Sequence, residues 1–413
     1  MPIQDRFRPT GKTAPALRAC VLGTVGAAAL HAVAAHAQTA PAAPAAAAPA
    51  APATVTLPAP GMSAPLSLNP NPYALDVGPL GKWYVGGALT GLGIVQSHPA
   101  ASDNGGQFDI SNGQIFLQKI DGLVQFYVQV GAYTLPTVGT AYVPARHALN
   151  DYFGVVPIAY IKLAPSSAFN IEAGKLPTLI GAETNFTFAN MNIERGLLWN
   201  QEPAISRGVQ ASYTVNTVTA SLSLNDGYYS NVYNWVSGSI VWTMNSASTL
   251  TVAGGGNVSR TNISTFATPI AQNNSSIYNL IYTYSHGPWT ITPYFQASTI
   301  NAEPTIGLLR KATSYGGAVL ATYAFNSNWS LGGRVEYLTS DGTPTDGEPN
   351  LLYGPGSNAV SVTVTPTWQY NRFFVRGEVS YVSASSTTSG DAFGKDGTQT
   401  DQLRGLMEAG VLF

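Results

Sequence analysis

One cysteine, few charges and no long apolar run beyond the first forty positions mark this chain of 413 residues. Only 10% of its residues are Asp, Glu, Lys or Arg, whereas a soluble domain carries about 25%. An ordinary cytosolic domain is therefore a poor fit. The 19 Lys+Arg against 21 Asp+Glu leave no basic stripe to neutralise a phosphate backbone, which removes nucleic acid as a partner. A helix crossing a membrane needs about 18 consecutive apolar residues. None follows the N-terminus, so helical spans are excluded there. Disorder is excluded as well, because 45% hydrophobic and 10% aromatic content exceeds what a disordered chain tolerates.

What is present begins with an export pattern. Arg6, Arg8, Lys12 and Arg18 precede an apolar stretch over 20–35, and Ala35-His36-Ala37 supplies a small-x-small cleavage site. Residues 1–37 are expected to be a cleaved signal peptide, which would take the sole cysteine, Cys20, with it. The exported chain could then form neither a disulfide nor a thiol nucleophile. Residues 38–80 are Ala/Pro-rich and read as a semi-rigid extended tether.

From Trp83 onward, segments of about ten residues alternate apolar with small or polar side chains. Val124, Phe126, Val128 and Val130 alternate with Gln125, Tyr127 and Gln129; Val360, Val362 and Val364 alternate with Ser361, Thr363 and Thr365. This is the period of a strand with two differently wetted faces. A soluble sandwich would show the same alternation, but the connections discriminate. About sixteen strands can be placed over 82–413, the fourth at 153–163, joined alternately by short turns and by long loops. That pattern is expected of an all-β transmembrane antiparallel up-and-down barrel over residues 81–413. Trp83, Tyr133, Trp242, Tyr284, Trp289, Tyr323, Phe325, Trp329, Trp368, Tyr370 and Phe373 fall near strand ends, as interfacial aromatic girdles would. Pro157, Pro293 and Pro366 fall inside the expected strands, which calls for bulges or revised boundaries. The chain ends in an amphipathic strand with a terminal Phe413, which resembles the signal read by the outer-membrane assembly machinery.

Ala173-Gly174-Lys175-Leu176, Gly181-Ala182-Glu183, Asn192-Ile193-Glu194-Arg195-Gly196-Leu197-Leu198, Gln201-Glu202-Pro203 and Arg207-Gly208-Val209-Gln210 carry a family resemblance. Over residues 165–235 most sharply, the chain resembles the OmpL-like beta-barrel porins of proteobacteria. The resemblance implies a channel but carries little about its substrate; with the barrel pattern and export signal, the expectation is an outer-membrane porin of a Gram-negative bacterium, in contact with membrane lipid, passing small hydrophilic solutes and ions passively and without a cofactor. By analogy with general porins it also implies a possible homotrimer.

Function in a wide barrel depends on what narrows it. The longest connection, residues 177–206, is also the third long loop, and long loops in ordered proteins are usually functional. It carries Glu183, Glu194, Arg195 and Glu202, with Phe186, Phe188 and Trp199 to hold it to a wall. Alternation places Arg334 and Glu336, Arg376 and Glu378, Arg404 and Glu408 on the luminal face, along with Lys162 and Glu172, because Arg or Lys facing lipid at the midplane would cost about 2–4 kcal/mol. Two readings of these charges stand side by side. They create a transverse field that orders water and selects dipolar solutes, or they pair with one another and brace the wall. His98, His147 and His286 lack metal-ligand spacing, no nucleophile motif occurs, and Asp341, Asp346, Glu348, Asp391, Asp396 and Asp401 match no calcium loop. An enzyme is not expected. The rival to a channel is a closed structural or surface-binding barrel.

Overall fold

The computed structural model describes Leu57 and residues 66–413, apart from 266, 268, 344 and 349–351. The expected signal peptide, and the tether as far as residue 65 except Leu57, lie outside the described residues.

Sixteen antiparallel strands close on themselves. They are β2 (Lys82–Gln96), β3 (Gly106–Lys119), β4 (Val124–Tyr133), β5 (Ile158–Leu163), β6 (Phe169–Pro177), β7 (Ile205–Val215), β8 (Val218–Asn225) and β9 (Trp235–Asn245). The circuit continues through β10 (Ser248–Asn257), β11 (Ser275–His286), β12 (Trp289–Ile300), β13 (Ala312–Ala324), β14 (Trp329–Ser340), β15 (Asn358–Tyr370), β16 (Phe373–Ser385) and β17 (Asp401–Leu412). Each pairs with its sequence neighbours, and β17 pairs with β2 from Leu412↔Ala88 to Arg404↔Gln96. Closure leaves no sheet edge, the condition a spanning sheet must meet in lipid.

The alternation seen in the sequence is the alternation of the wall. On β14, Leu331, Val335 and Tyr337 are exposed outward while Arg334 and Glu336 are buried inside; on β15 Val360, Val362 and Val364 face out and Ser361, Thr363 and Thr365 face in. At the short-turn rim Trp289, Trp329, Tyr370 and Phe373 are exposed, and Trp289, Tyr323 and Phe325 pack edge-on with centroids 4.7 and 5.0 Å apart. Tyr133 departs from the girdle expectation. It is fully buried, and its hydroxyl donates to the Ala148 and Gly154 carbonyls, because its position on β4 has luminal parity.

The prolines have separate explanations. Pro157 precedes β5, which starts at Ile158 rather than 153, because residues 145–152 coil into short helical turns. Pro293 and Pro366 do lie within strands, but no bulge accompanies them. Two pairs are missing between Ile281↔Tyr294 and Tyr284↔Ile291, and two between Val364↔Val379 and Thr367↔Arg376, with the register unchanged on either side. A residue without N–H is tolerated where the ladder is already interrupted. A bulge occurs elsewhere: opposite Thr90/Gly91 the β3 residue Ser111 has no partner in the ladder. The extra residue turns both Ser111 and Asn112 inward, fully buried.

A four-residue strand, β1 (Tyr73–Asp76), pairs with β2 from Tyr73↔Val85 to Asp76↔Lys82. Since β3 occupies the other flank of β2, β1 continues the line of β17 past Phe413. Leu66, a little earlier in the chain, is buried with Phe374 and Leu412, and Ser67 exchanges two 2.8 Å hydrogen bonds with the Gln369 side chain. The seam itself is tight: Phe413 and Gly87 exchange backbone bonds of 2.8 and 2.9 Å, and a Cβ at Gly87 would overlap the Phe413 ring. Gly87→Val is expected to cost about 1–3 kcal/mol by overpacking and to lower the fraction of closed barrel, read as the folded band on unheated gels. A wild-type folded fraction would show that the seam tolerates bulk.

Candidate constriction site

Between β6 and β7 the chain does not stay outside the barrel. Residues 185–198 are buried throughout, laid against the inner faces of β14 to β17. Two apolar clusters seat them. Phe186 and Phe188 pack with Phe116 and Tyr133, and Met191, Leu197 and Leu198 pack with Leu320 and Leu338.

The polar part of the seat is an interlocked set of charged groups. Arg334 donates to Glu183 at 2.6 Å and to the Glu194 carbonyl at 2.7 Å, and lies 3.1 Å from Glu336. Glu336 in turn accepts the Leu197 and Leu198 amides at 3.0 and 3.3 Å, and Glu378 accepts those of Ile193 and Glu194 at 2.5 and 2.9 Å. Arg376 pairs with Glu408 and donates to the Thr187 and Asn190 carbonyls at 2.7 and 3.0 Å. Arg404 reaches Glu194 at 2.6 Å. Wall carboxylates thus hold loop amides and wall guanidiniums hold loop carbonyls, satisfying backbone that strand pairing does not.

All six of these wall residues are 3% exposed or less. Their partners lie mainly on the loop rather than among the wall charges themselves. Lys162 and Glu172 stand apart, 3.4 Å from each other and partly open to the lumen. Arg195, fully buried, donates to the Asn185 carbonyl and stacks 4.8 Å over Trp199.

Glu202 is the exception in the set. It is 5% exposed, and neither carboxylate oxygen has a hydrogen-bond partner. Burial, with Glu183 and Glu336 nearby, pushes its pKa well above the usual carboxylate range. The backbone at Gly181, in left-handed conformation, presses so close that a Cβ there would overlap the carboxylate.

Two supports were not anticipated from sequence. The β3 bulge aims Asn112 at Thr187, 2.6 Å away, and Thr187 hydrogen-bonds Glu408 at 2.5 Å. A second segment, residues 134–142, also turns inward: Val138 and Arg195 share a 2.9 Å backbone bond and Thr137 accepts from Arg404 at 2.7 Å. Its signal was the run of apolar residues Leu135, Val138 and Tyr142 in a connection. Above the loop a cavity of about 600 Å³ is lined by Tyr142, Trp199, Asn200, Glu202, Tyr228 and Gln272, among others.

A sixteen-stranded closed wall with an inward, wall-bound third loop can now be set beside known proteins. The family described as "Putative beta-barrel porin-2, OmpL-like" matches residues 84–413. The chain belongs to this family. It is an outer-membrane porin, a multi-pass β-barrel of a Gram-negative envelope. Similar folds include the loop L8 deletion mutant of OmpT from Vibrio cholerae (12% identity, 80% of this chain and 99% of that one, TM-score 0.53). The outer membrane channel DcaP of Acinetobacter baumannii is 9% identical over 80% and 97% of the two chains, with TM-score 0.52. An anion-selective porin from Comamonas acidovorans is 9% identical over 80% and 99%, with TM-score 0.51. Neighbours include a trimer form, that of Vibrio cholerae OmpT. No curated protein sequence matches the chain.

Proposed function

We propose that this porin passes small hydrophilic solutes passively and that residues 177–206 form its constriction. The supporting observation is the seat: a loop that turns into the lumen and is bound to strands β14, β16 and β17 by buried charge-assisted hydrogen bonds. Such a loop narrows the path without needing an energy source. In this reading Glu183, Glu194, Arg334, Glu336, Arg376, Glu378, Arg404 and Glu408 hold the constriction in place, Arg195 stiffens it from within, and Lys162 and Glu172 line the path below it. No catalytic role is proposed; His98 and His147 pair with Asp401 and Asp151 at exposed positions. We further propose that the chain assembles as a homotrimer, that residues 1–37 are its export signal, that residues 38–65 of the expected 38–80 segment act as a periplasmic tether while the rest of it docks on the barrel through Leu66 and β1, and that Phe413 serves barrel assembly.

Liposome swelling with the purified protein tests the channel. Neutral solutes should enter at rates falling steeply with size, as through a water-filled constriction. Absence of swelling with any solute, from a barrel that migrates as folded, would favour the closed structural alternative.

A further inference from the structure

The two halves of this barrel differ in charge. Strands β8 to β13, six in succession, contain no Asp, Glu, Lys or Arg. Most of their incompletely buried inward positions carry hydroxyls, Thr219, Ser221, Thr251, Thr283 and Thr292 among them, and the others, such as Val241 and Gly255, are uncharged. The opposite half holds the luminal arginines and glutamates, but these are turned into the loop and covered. The loop is neutral toward water as well. Its incompletely buried positions are Thr178, Leu179, Gly181, Ala182, Thr184, Trp199 and Asn200. Charge is therefore plentiful in the seat of the loop and mostly covered there, Asp103 and Glu202 being the acidic residues that line the cavity above it.

From this we infer that the channel discriminates little between anions and cations, and that its preferred solutes are neutral, hydroxyl-bearing molecules. The inference rests on the porin reading above and narrows it. An ion crossing the constriction sheds part of its hydration and meets seat charges that are buried and already paired, while Glu202, the unpartnered carboxyl beside the path, is favoured in its neutral form by burial. A neutral polyol exchanges water hydrogen bonds for those of serine and threonine hydroxyls, which both donate and accept. The partly open Lys162–Glu172 pair is self-compensating and adds no net sign.

The test is reversal potential under a KCl gradient, combined with swelling rates for a neutral hexose, its carboxylate form (gluconate) and its amine form (glucosamine). The expected results are a cation-to-anion permeability ratio within about twofold of unity and a hexose rate at least equal to both charged sugars. A ratio above tenfold in either direction, or a charged sugar entering faster than hexose, overturns the inference while leaving a channel. Silence toward every ion and solute overturns the porin reading and the inference with it. Single substitutions add an independent arm: Ser221→Asp should shift the ratio several-fold toward cations and Thr251→Lys several-fold toward anions. Unshifted ratios in both would show that the hydroxyl wall does not border the path.

Discussion

Arg334→Ala releases the constriction loop and raises single-channel conductance several-fold, with flicker between levels; that is the largest effect expected of any single substitution here. The guanidinium is fully buried and joins β14 to both limbs of the loop through Glu183 and the Glu194 carbonyl. Its loss strands Glu183 and Glu336 as buried carboxylates short of a countercharge. Breaking a buried pair from one side costs about 3–5 kcal/mol, and the loop has only its apolar clusters to offset that. Arg334→Lys keeps the charge but loses the fork that reaches two acceptors at once, so its conductance should fall between the two. Wild-type conductance in the alanine variant would show that the apolar seat suffices and that the charged network is dispensable.

Acidity should steady the same loop. The buried set contains six carboxyls, Glu183, Glu194, Glu202, Glu336, Glu378 and Glu408, against four guanidiniums, Arg195, Arg334, Arg376 and Arg404. Glu202 is the one whose oxygens are all unpartnered. Facing it are Glu183 from its own loop, Glu336 on β14, the Tyr294 hydroxyl on β12 and Tyr228 beyond β8. The seated loop favours its neutral form, so its folded pKa lies above the unfolded value. A group shifted that way contributes its full stabilisation below the unfolded pKa, near 4.5, and loses it as pH rises through the folded one. Channel noise should accordingly be lowest near pH 4 to 5 and grow as pH rises above that window. Glu202→Gln, neutral at every pH, should flatten the dependence and stay quiet at alkaline pH. An unaltered pH profile in that variant would assign the effect to another group.

Much of this architecture is legible in the sequence because lipid and water impose period-two alternation on every strand. A residue such as Val335 beside Arg334 admits one orientation. The same argument placed the wall charges inside and marked the third loop as the element to watch. It did not reveal what the charges touch. Glu378 holds the amides of Ile193 and Glu194, and nothing in a strand pattern encodes the path of a loop across the lumen. The bulge at Ser111 was hidden for a related reason: an extra residue breaks alternation locally, and Ile110-Ser111-Asn112 is too short to separate a bulge from a slip. Residues 153–157 read as the start of a strand because Phe153 and Val155 sustain the apolar period, whereas Pro157 is the better boundary. The neutral half of the barrel was visible in the sequence as a scarcity of charge between 218 and 324. Its meaning emerged only once the opposing charges were seen to be covered.

The central claim is that the inward loop, and not the barrel wall, limits flow. Single-channel conductance of the intact protein beside a variant with residues 182–203 replaced by a short Gly/Ser linker tests it most directly. The account predicts stable open steps in both, several-fold larger in the variant. Equal conductance in the two proteins, or silence in both despite folded barrels, would contradict it.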